Sequence, residues 1–152
     1  MELRILIIDD EKCIRDSLSI HLTDLGHEVY VSENPSFCSA ANSNLCEQTY
    51  PCADILLIDQ NMPTCKGLEF IREQSLLGCK LKPHHQIIMS GTVSPVMTQD
   101  AKELGCQIIQ KPFSLAQLEQ LIENLSTSIN PNRQLSPVPE SWGDRFSWEA
   151  LH

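Results

Sequence analysis

Short apolar runs alternate with segments of helical period along this chain, and no other sequence feature constrains the fold more. The runs have the length of strands and cover residues 3–8, 28–31, 54–58, 86–89 and 107–110. Apolar residues at helical spacing predict helices over residues 12–25, 67–77, 95–104 and 114–125. Residues 36–48 are polar, and a helix is predicted there chiefly because a parallel crossover requires one. The pattern predicts an α/β domain, a parallel sheet with helices on both faces.

Length and charge exclude several classes of protein. The chain has 152 residues, enough for one domain with a real core and too few for a second globular one. Its 20 acidic residues outnumber 11 Lys and Arg, and the net charge of −9 argues against direct binding of nucleic acid. The apolar runs are far shorter than the ~20 residues that span a bilayer. The first residues also lack the order of a signal peptide, so we expect a soluble, cytoplasmic protein.

The seven cysteines do not form a recognisable disulfide framework. Their number is odd and no CxxC pair occurs, which disfavours a secreted scaffold of disulfides. A metal or redox site using Cys38, Cys46, Cys52 and Cys65 is one interpretation. Because zinc ligands usually come in close pairs and these are irregularly spaced, thiols without a ligand are the favoured alternative.

Charged and hydroxyl side chains stand just after four of the predicted strands. They are Asp9 and Asp10, Asp59, Ser90 with Gly91, and Lys111 with Pro112. All strands of a parallel sheet end at one edge, and open α/β sheets bind ligands there. Any one of these residues alone has an ordinary explanation: Asp10, for example, could simply favour the start of the next helix through the helix dipole. All of them together, in order, indicate a site.

The chemistry of this predicted site points to phosphoryl transfer. Three crowded carboxylates repel one another unless a cation lies among them. A site rich in oxygen with few protein ligands suits Mg²⁺, which keeps several waters and favours phosphoryl substrates. Lys111 would add a fixed positive charge and Ser90 a hydrogen-bond donor, and such positioning and charge neutralisation dominate catalysis of phosphoryl transfer.

Four motifs resemble the receiver domain of two-component response regulators, of the single-domain, chemotaxis-regulator type. They are IIDDEK, LLIDQNMP followed by Gly67, IIMSG and QKPF, and the resemblance covers residues 1–125. It implies a flavodoxin-like five-stranded parallel sheet in the order 2-1-3-4-5. It also implies that Asp59 accepts a phosphoryl group from a sensor histidine kinase or a histidine phosphotransfer protein. Such a protein phosphorylates and dephosphorylates itself and is not a turnover enzyme.

The resemblance also implies a role for each residue at the edge. Asp10, Asp59 and the backbone carbonyl of Asn61 would ligate Mg²⁺, and Asp9 would help through a water. Ser90 would donate a hydrogen bond to one phosphoryl oxygen, and Lys111 would pair with another. The peptide bond between Lys111 and Pro112 is expected to be cis, which proline makes accessible.

Two features depart from the family pattern or invite another function. Receivers commonly carry Tyr or Phe three residues before the lysine, where this chain has Ile108, so the usual aromatic switch is in doubt. His84 and His85 invite a metal or phosphohistidine interpretation. Because they lie in a loop before the fourth strand, solvated side chains are the favoured expectation.

Residues 126–152 differ in composition from the preceding domain. The first part contains proline and little apolar surface and is typical of a linker. Trp142, Phe146, Trp148 and Leu151 follow. Two interpretations are open: this tail folds back onto the receiver, or its aromatic side chains dock on an unknown downstream protein.

Two alternative functions complete the hypotheses. A haloacid-dehalogenase-like, Mg²⁺-dependent phosphatase also uses an Asp nucleophile, a Ser or Thr and a Lys. That family requires a second acid two residues after the nucleophile, where this chain has Asn61, and its metal-binding acids come late, whereas Asp9 and Asp10 come first. A module with the receiver fold that signals without phosphate is the other alternative, and the complete set of acids, Ser and Lys argues against it.

Overall fold

The computed structural model describes residues 1–35, 45–147 and 149, which form a five-stranded parallel sheet with helices on both faces. The strands are β1 Arg4–Ile8, β2 Glu28–Ser32, β3 Ile55–Asp59, β4 Gln86–Ser90 and β5 Gln107–Gln110. The α-helices are α1 Lys12–Asp24, α2 Gly67–Leu76, α3 Pro95–Leu104 and α4 Leu115–Ser126. The strand order is β2-β1-β3-β4-β5, so the predicted fold and order are confirmed. No helix among the described residues is long and apolar enough to cross a bilayer.

Two apolar cores lie on opposite faces of the sheet, because successive strand residues point to opposite sides. In β1, Ile5 and Ile7 belong to the core that includes residues of α1 and α4. Leu6 and Ile8 belong to the other core, with residues of α2 and α3. The strands are therefore buried on both sides, as a parallel sheet requires, and only their ends reach solvent.

The predicted helix ends are close to those observed, with recognisable caps. Ser114 is the predicted N-cap of α4: its hydroxyl accepts from the N–H of Gln117, whose side chain accepts from the N–H of Ser114. Gly105 ends α3 in the left-handed region, at a φ of 86°, which costs glycine little. The short connections from α1 to β2 and from α3 to β5 leave little freedom in where those strands begin.

The predicted helix over residues 36–48 is the least successful element. Residues 36–44 lie outside the described part of the chain. Residues 45–48 are described, and they form neither helix nor strand. The Cys46 N–H donates instead to the Leu77 carbonyl at 2.8 Å, beyond the end of α2. The expected crossover helix is thus wrong for its last four residues.

The segment after α4, residues 127–147, packs against the domain and is called here the C-terminal strap. Arg133 donates through Nε and Nη2 to the two oxygens of Asp54, at 2.8 and 2.6 Å. Asp54 directly precedes β3, its side chain is only 2% exposed, and its Oδ2 also accepts from the Arg4 N–H. This buried ion pair holds the strap at the amino end of the sheet.

Further contacts fix the strap along its length. Ser136 exchanges hydrogen bonds with Tyr50: its Oγ donates to the Tyr50 carbonyl at 2.7 Å and accepts from the Tyr50 N–H at 3.2 Å. Trp142 lies edge-on to Tyr30, with ring centroids 5.7 Å apart, and the Phe146 N–H donates to the Val29 carbonyl. Trp142 and Phe146 therefore fold back onto the domain, where their side chains are partly buried.

The remaining tail residues, Trp148 and Leu151, lie outside the described residues. The role of the tail in binding a downstream protein stays a prediction. The linker expected from composition is, over the described strap, a segment held by side-chain and backbone contacts.

Arg133→Ala should destabilise the fold by about 2–4 kcal/mol, because it leaves the buried Asp54 carboxylate without its charged partner. Urea unfolding followed by circular dichroism measures this loss. Arg145→Ala is the matched control, since Arg145 pairs with Glu2 at 3.4 Å and both side chains are about half exposed. That exposed pair should contribute less than about 1 kcal/mol. Equal losses in the two variants would contradict the special contribution of the buried Arg133–Asp54 pair.

Candidate functional site

Three carboxylates meet at the carboxyl end of β1 and β3. Asp9, Asp10 and Asp59 each place a carboxylate oxygen within 4.8 Å of the others. Asp9 is fully buried and Asp59 is 5% exposed, whereas Asp10 is open to solvent. Adjacent parallel strands bring Asp9 and Asp59 together, since Ile8 of β1 pairs with Ile58 of β3. The edge constellation predicted from the strand ends is thus assembled around these three acids.

Lys111 supplies the positive charge of the site. Its Nζ donates to Asp9 Oδ2 at 3.0 Å and to Asp59 Oδ1 at 3.2 Å. The residue follows β5, its N–H donates to the Ser90 carbonyl at 2.7 Å, and its bond to Pro112 is cis, as expected. Burial disfavours the charged ammonium, but the hydrogen bond to Asp9 and the charges of Asp9 and Asp59 outweigh it and raise the pKa of Lys111.

Asp59 has the electrostatics of a group that needs a cation. Burial and then the nearby charge of Asp9 raise its pKa to about 6, although Lys111 opposes the shift. The charged form of Asp59 is therefore poorly compensated by protein groups alone. Close to neutral pH the carboxylate is mostly ionised, which is the form that a nucleophile or a metal ligand requires.

The loop between β1 and α1 holds Asp9 in position from several directions. Its Oδ1 accepts from the Glu11 N–H at 2.9 Å, and its carbonyl accepts from Arg15 Nη1 at 2.6 Å. The Asp9 N–H donates to the Ser32 carbonyl at the end of β2. Each of its two carboxylate oxygens thus has a hydrogen-bond donor.

Ser90, predicted to contact a phosphoryl oxygen, is fully buried and is the last residue of β4. Its Oγ donates to the Thr92 carbonyl at 2.7 Å and lies 3.3 Å from the Thr92 N–H, which donates to it. In this arrangement the hydroxyl makes both of these hydrogen bonds to the loop after β4. Its predicted contact with phosphate requires rotation of the side chain or movement of the loop, and it stays a prediction.

The loop between β3 and α2 shapes the other side of the site. The Asn61 N–H donates to Asp59 Oδ1 over a long 3.4 Å, and the Asn61 side-chain oxygen accepts from Lys66 Nζ at 2.9 Å. Asn61 also forms an isolated antiparallel bridge with Lys66. Lys66 was not among the predicted site residues, since one exposed lysine in a loop carries no sequence signal of its own.

Gly67, which belongs to the quoted motif, is required by close approach of the backbone. A Cβ at this position would lie 2.8 Å from the Asp59 carbonyl oxygen, a distance that real Cβ atoms essentially never show. Its N–H donates to the Gln60 carbonyl, and the Gln60 side chain accepts from the Leu68 N–H at the start of α2. The glycine therefore lets α2 begin directly against the residue that ends β3.

The three acids fit a hard divalent cation. Their donors are carboxylate oxygens, one acid is open to solvent, and three acids lie beside the single ammonium of Lys111. In the described part of the chain, no other group of three His, Cys, Asp or Glu is close enough to share an ion. Cys46, Cys52 and Cys65 form no disulfide and no group of three close enough to share an ion, and Cys38 lies outside the described residues.

His84 is exposed, in line with the expectation of a solvated side chain, whereas His85 is partly buried. They occupy a 3₁₀-helix, Pro83–His85, where the His84 Nδ1 lies 3.2 Å from Gln107 Nε2 and the His85 Nε2 lies 2.9 Å from Ser128 Oγ. Burial, and then the charges of His84 and Lys82, lower the pKa of His85. These contacts give both rings a structural role. Ile108 lies in β5, partly buried against the core that includes α3 residues.

Comparison with known proteins identifies the class of this α/β domain, which has an acidic edge and a partly buried lysine. The chain matches the response regulator receiver domain over residues 5–123 and belongs to that family. It is 28% identical over 144 residues to the DNA-binding transcriptional regulator NtrC of Azospirillum brasilense. That match covers 92% of this chain but only 27% of the relative's length.

Solved structures show the same fold. The chemotaxis protein CheY4 of Vibrio cholerae is 25% identical with a TM-score of 0.62, and the match covers 82% of this chain and 99% of that one. A response regulator from Clostridium difficile is 19% identical with a TM-score of 0.66, covering 85% and 99%. NtrX from Brucella abortus is 24% identical with a TM-score of 0.66, covering 84% of this chain and 28% of that one. The last two show the fold alone.

Gly67→Ala should shift the backbone at Asp59, because the new methyl group would meet the Asp59 carbonyl. We expect a loss of about 1–3 kcal/mol in unfolding free energy and amide NMR shifts concentrated at residues 58–61. Gly91→Ala is the control, since its Cβ would have no neighbour within 4 Å. Similar losses in both variants would argue against the close-approach explanation.

Asp59→Asn should stabilise the metal-free protein above pH 6. The raised pKa means that the folded state binds a proton that the unfolded state releases near its ordinary pKa of 3.8, so wild-type stability falls as pH rises from about 4 through 6. The neutral Asn does not lose that stability, and the gain should be about 1–3 kcal/mol at pH 7.5. Urea unfolding with a chelator at pH 4.5 and 7.5 measures it. A gain of equal size at both pH values would contradict this origin.

Proposed function

We propose that this receiver accepts a phosphoryl group on Asp59 from a phosphohistidine of a sensor histidine kinase or histidine phosphotransfer protein, and signals through protein–protein contacts. The observation that carries this proposal is the Lys111 ammonium shared by the carboxylates of Asp9 and Asp59 at the edge of the sheet. Membership of the receiver family supports it. The roles below belong to the same proposal.

Asp59 is the nucleophile. A carboxylate oxygen attacks the phosphorus in line, the new O–P bond forms as the P–N bond to the donor histidine breaks, and the imidazole nitrogen leaves with the electron pair and takes up a proton. Because Asp59 is nearly buried, its carboxylate carries few waters that must be displaced before attack. Its position at the end of β3 fixes its direction toward the opening of the site.

Lys111 and Ser90 respond to the new phosphoryl group. Lys111 already lies 3.2 Å from Asp59, so its ammonium can pair with a phosphoryl oxygen after a small movement while it keeps Asp9. Ser90 must exchange its bond to the Thr92 carbonyl for one to phosphate. That exchange would move the loop between β4 and α3 and connect phosphorylation to the surface.

Mg²⁺ would be held by Asp10, Asp59 and the Asn61 carbonyl, with Asp9 acting through water. When bound, it supplies positive charge that offsets the crowded carboxylates and the phosphoryl oxygens. Asp10 is open to solvent and offers an accessible ligand. The Asn61 side chain is occupied by Lys66, which leaves the backbone carbonyl as the donor of this residue.

Specific residues argue against each of the alternative functions. The haloacid-dehalogenase-like phosphatase has no support from the comparisons, and Asn61 stands where that family needs an acid. A receiver that signals without phosphate would not need a lysine held by two buried carboxylates. The relative with a DNA-binding function is much longer than this chain, so its output does not transfer to the described domain.

Incubation with Mg²⁺ and a small phosphodonor such as acetyl phosphate should add one phosphoryl group, detected by intact mass. The bond should be stable in acid and labile in base, as expected of an acyl phosphate. Chelation of Mg²⁺ should reduce labelling strongly, and Asp59→Asn should abolish it. Asp100→Asn is the control, since Asp100 is an acid of α3 and lies outside the site. Label that persists in Asp59→Asn would overturn the assignment, and a wild type that takes no label would favour the phosphate-independent alternative.

A further inference from the structure

An apolar cavity of about 110 Å³ lies between the sheet and the C-terminal strap. One wall is formed by buried residues of the domain, Leu6 of β1, Leu56 of β3 and Phe70 of α2. The other wall includes Pro139 and Trp142 of the strap. The cavity is separate from the acidic site, which lies at the carboxyl ends of the strands.

The size of this cavity is unusual for a packed domain. Protein interiors are as dense as organic crystals, and voids larger than a water molecule are few. The side chains around an apolar cavity of this size lack the dispersion contacts that a group filling it would make. Polar side chains of Gln74, Gln86 and Ser141 also line the cavity, but most of its surface is apolar. A water inside it therefore finds few of the two to four polar partners that it needs, and a small apolar molecule fits this surface better.

The side chains around the cavity favour an aromatic guest. Tyr50, Phe70 and Trp142 offer ring faces and edges for stacked or edge-to-face contact. The thiols of Cys46, Cys52 and Cys79 also line it, and sulfur makes favourable contacts with aromatic rings.

The charge and size of the guest are limited as well. The one charged side chain among the described lining residues, Lys80, is exposed and donates to the Gly78 carbonyl at 2.8 Å. An anionic guest would have only this solvent-exposed ammonium as a partner for its charge, and a cationic guest would have no charged partner among the described lining residues. The volume admits one ring with a small substituent and no more.

We propose that the cavity between the sheet and the strap binds a neutral molecule with a single aromatic ring. The strap closes one side of this site through Trp142, and the Arg133–Asp54 ion pair holds the strap in place. Binding adds contacts that join the strap to β1 and β3. This site extends beyond the phosphoryl-acceptor function and does not depend on it.

Toluene is a suitable probe, with the full chain carrying Trp148→Phe so that Trp142 is the remaining tryptophan. We expect a saturable change in tryptophan fluorescence and a rise in the thermal midpoint, both at one toluene per chain. Phenyl phosphate, which carries a charge, should produce neither. A wild-type chain with no saturable response to toluene would overturn the proposal, as would an equal response to the charged probe.

A pair of alanines gives a matched control. Ala53 and Ala101 are each 2% exposed, but only Ala53 is among the residues lining the cavity. Ala53→Leu should fill the space and weaken toluene binding about tenfold or more, while Ala101→Leu should leave the affinity unchanged. Equal affinities in the two variants would place the ligand elsewhere and overturn the proposal.

A second measurement covers the case in which Ala53→Leu does not fold. Intermolecular nuclear Overhauser effects in the wild type should connect toluene protons with the methyl groups of Leu6 and Leu56. Their absence at saturation would overturn the site. None of these experiments measures phosphorylation of Asp59. Failure of the cavity proposal and failure of the phosphoryl-acceptor proposal are therefore distinguishable.

Discussion

The shared ammonium of Lys111 is the interaction on which the functional edge depends. Asp9 and Asp59 end neighbouring strands, and the sheet buries both carboxylates. Two buried carboxylates with oxygens within 4.8 Å of each other repel unless an opposite charge lies beside them. Lys111, which follows β5, supplies that charge. The same geometry leaves negative charge in excess, which suits a cation and an incoming phosphoryl group. Stability and chemistry are thus set by one arrangement of three side chains.

Most of the fold and the acidic edge could be predicted from the sequence because both follow from local patterns. Buried parallel strands are short and uniformly apolar, and the residues that end them must meet at one edge. Asp9, Asp59 and Lys111 could therefore be predicted as site residues from their positions at the strand ends alone. The strand order came from resemblance to a family, since apolar runs do not state which neighbours pair.

Several features could not be predicted because they depend on side-chain contacts that the spacing of residues does not encode. Arg133 and Asp54 are 79 residues apart, and each looks like an ordinary surface residue in its own segment. Lys66 acquires its importance from its contact with Asn61, and His85 from its contact with Ser128. The Ser90 hydroxyl was correctly placed at the edge, but its bond to Thr92 depends on loop geometry that no spacing encodes. The contacts of the strap could not be predicted for a similar reason, since prolines indicate a lack of regular structure and not a lack of contacts.

The ion pair at Asp54 has a consequence for how this domain could be recombined with others. A junction placed where the helical pattern stops, after residue 125, would seem natural to an engineer who builds a chimaeric signalling protein. That cut would discard Arg133 and leave a carboxylate buried at the foot of the strand that carries Asp59. The portable unit therefore extends well past the last helix, and a functional chimaera has to inherit the strap together with the sheet.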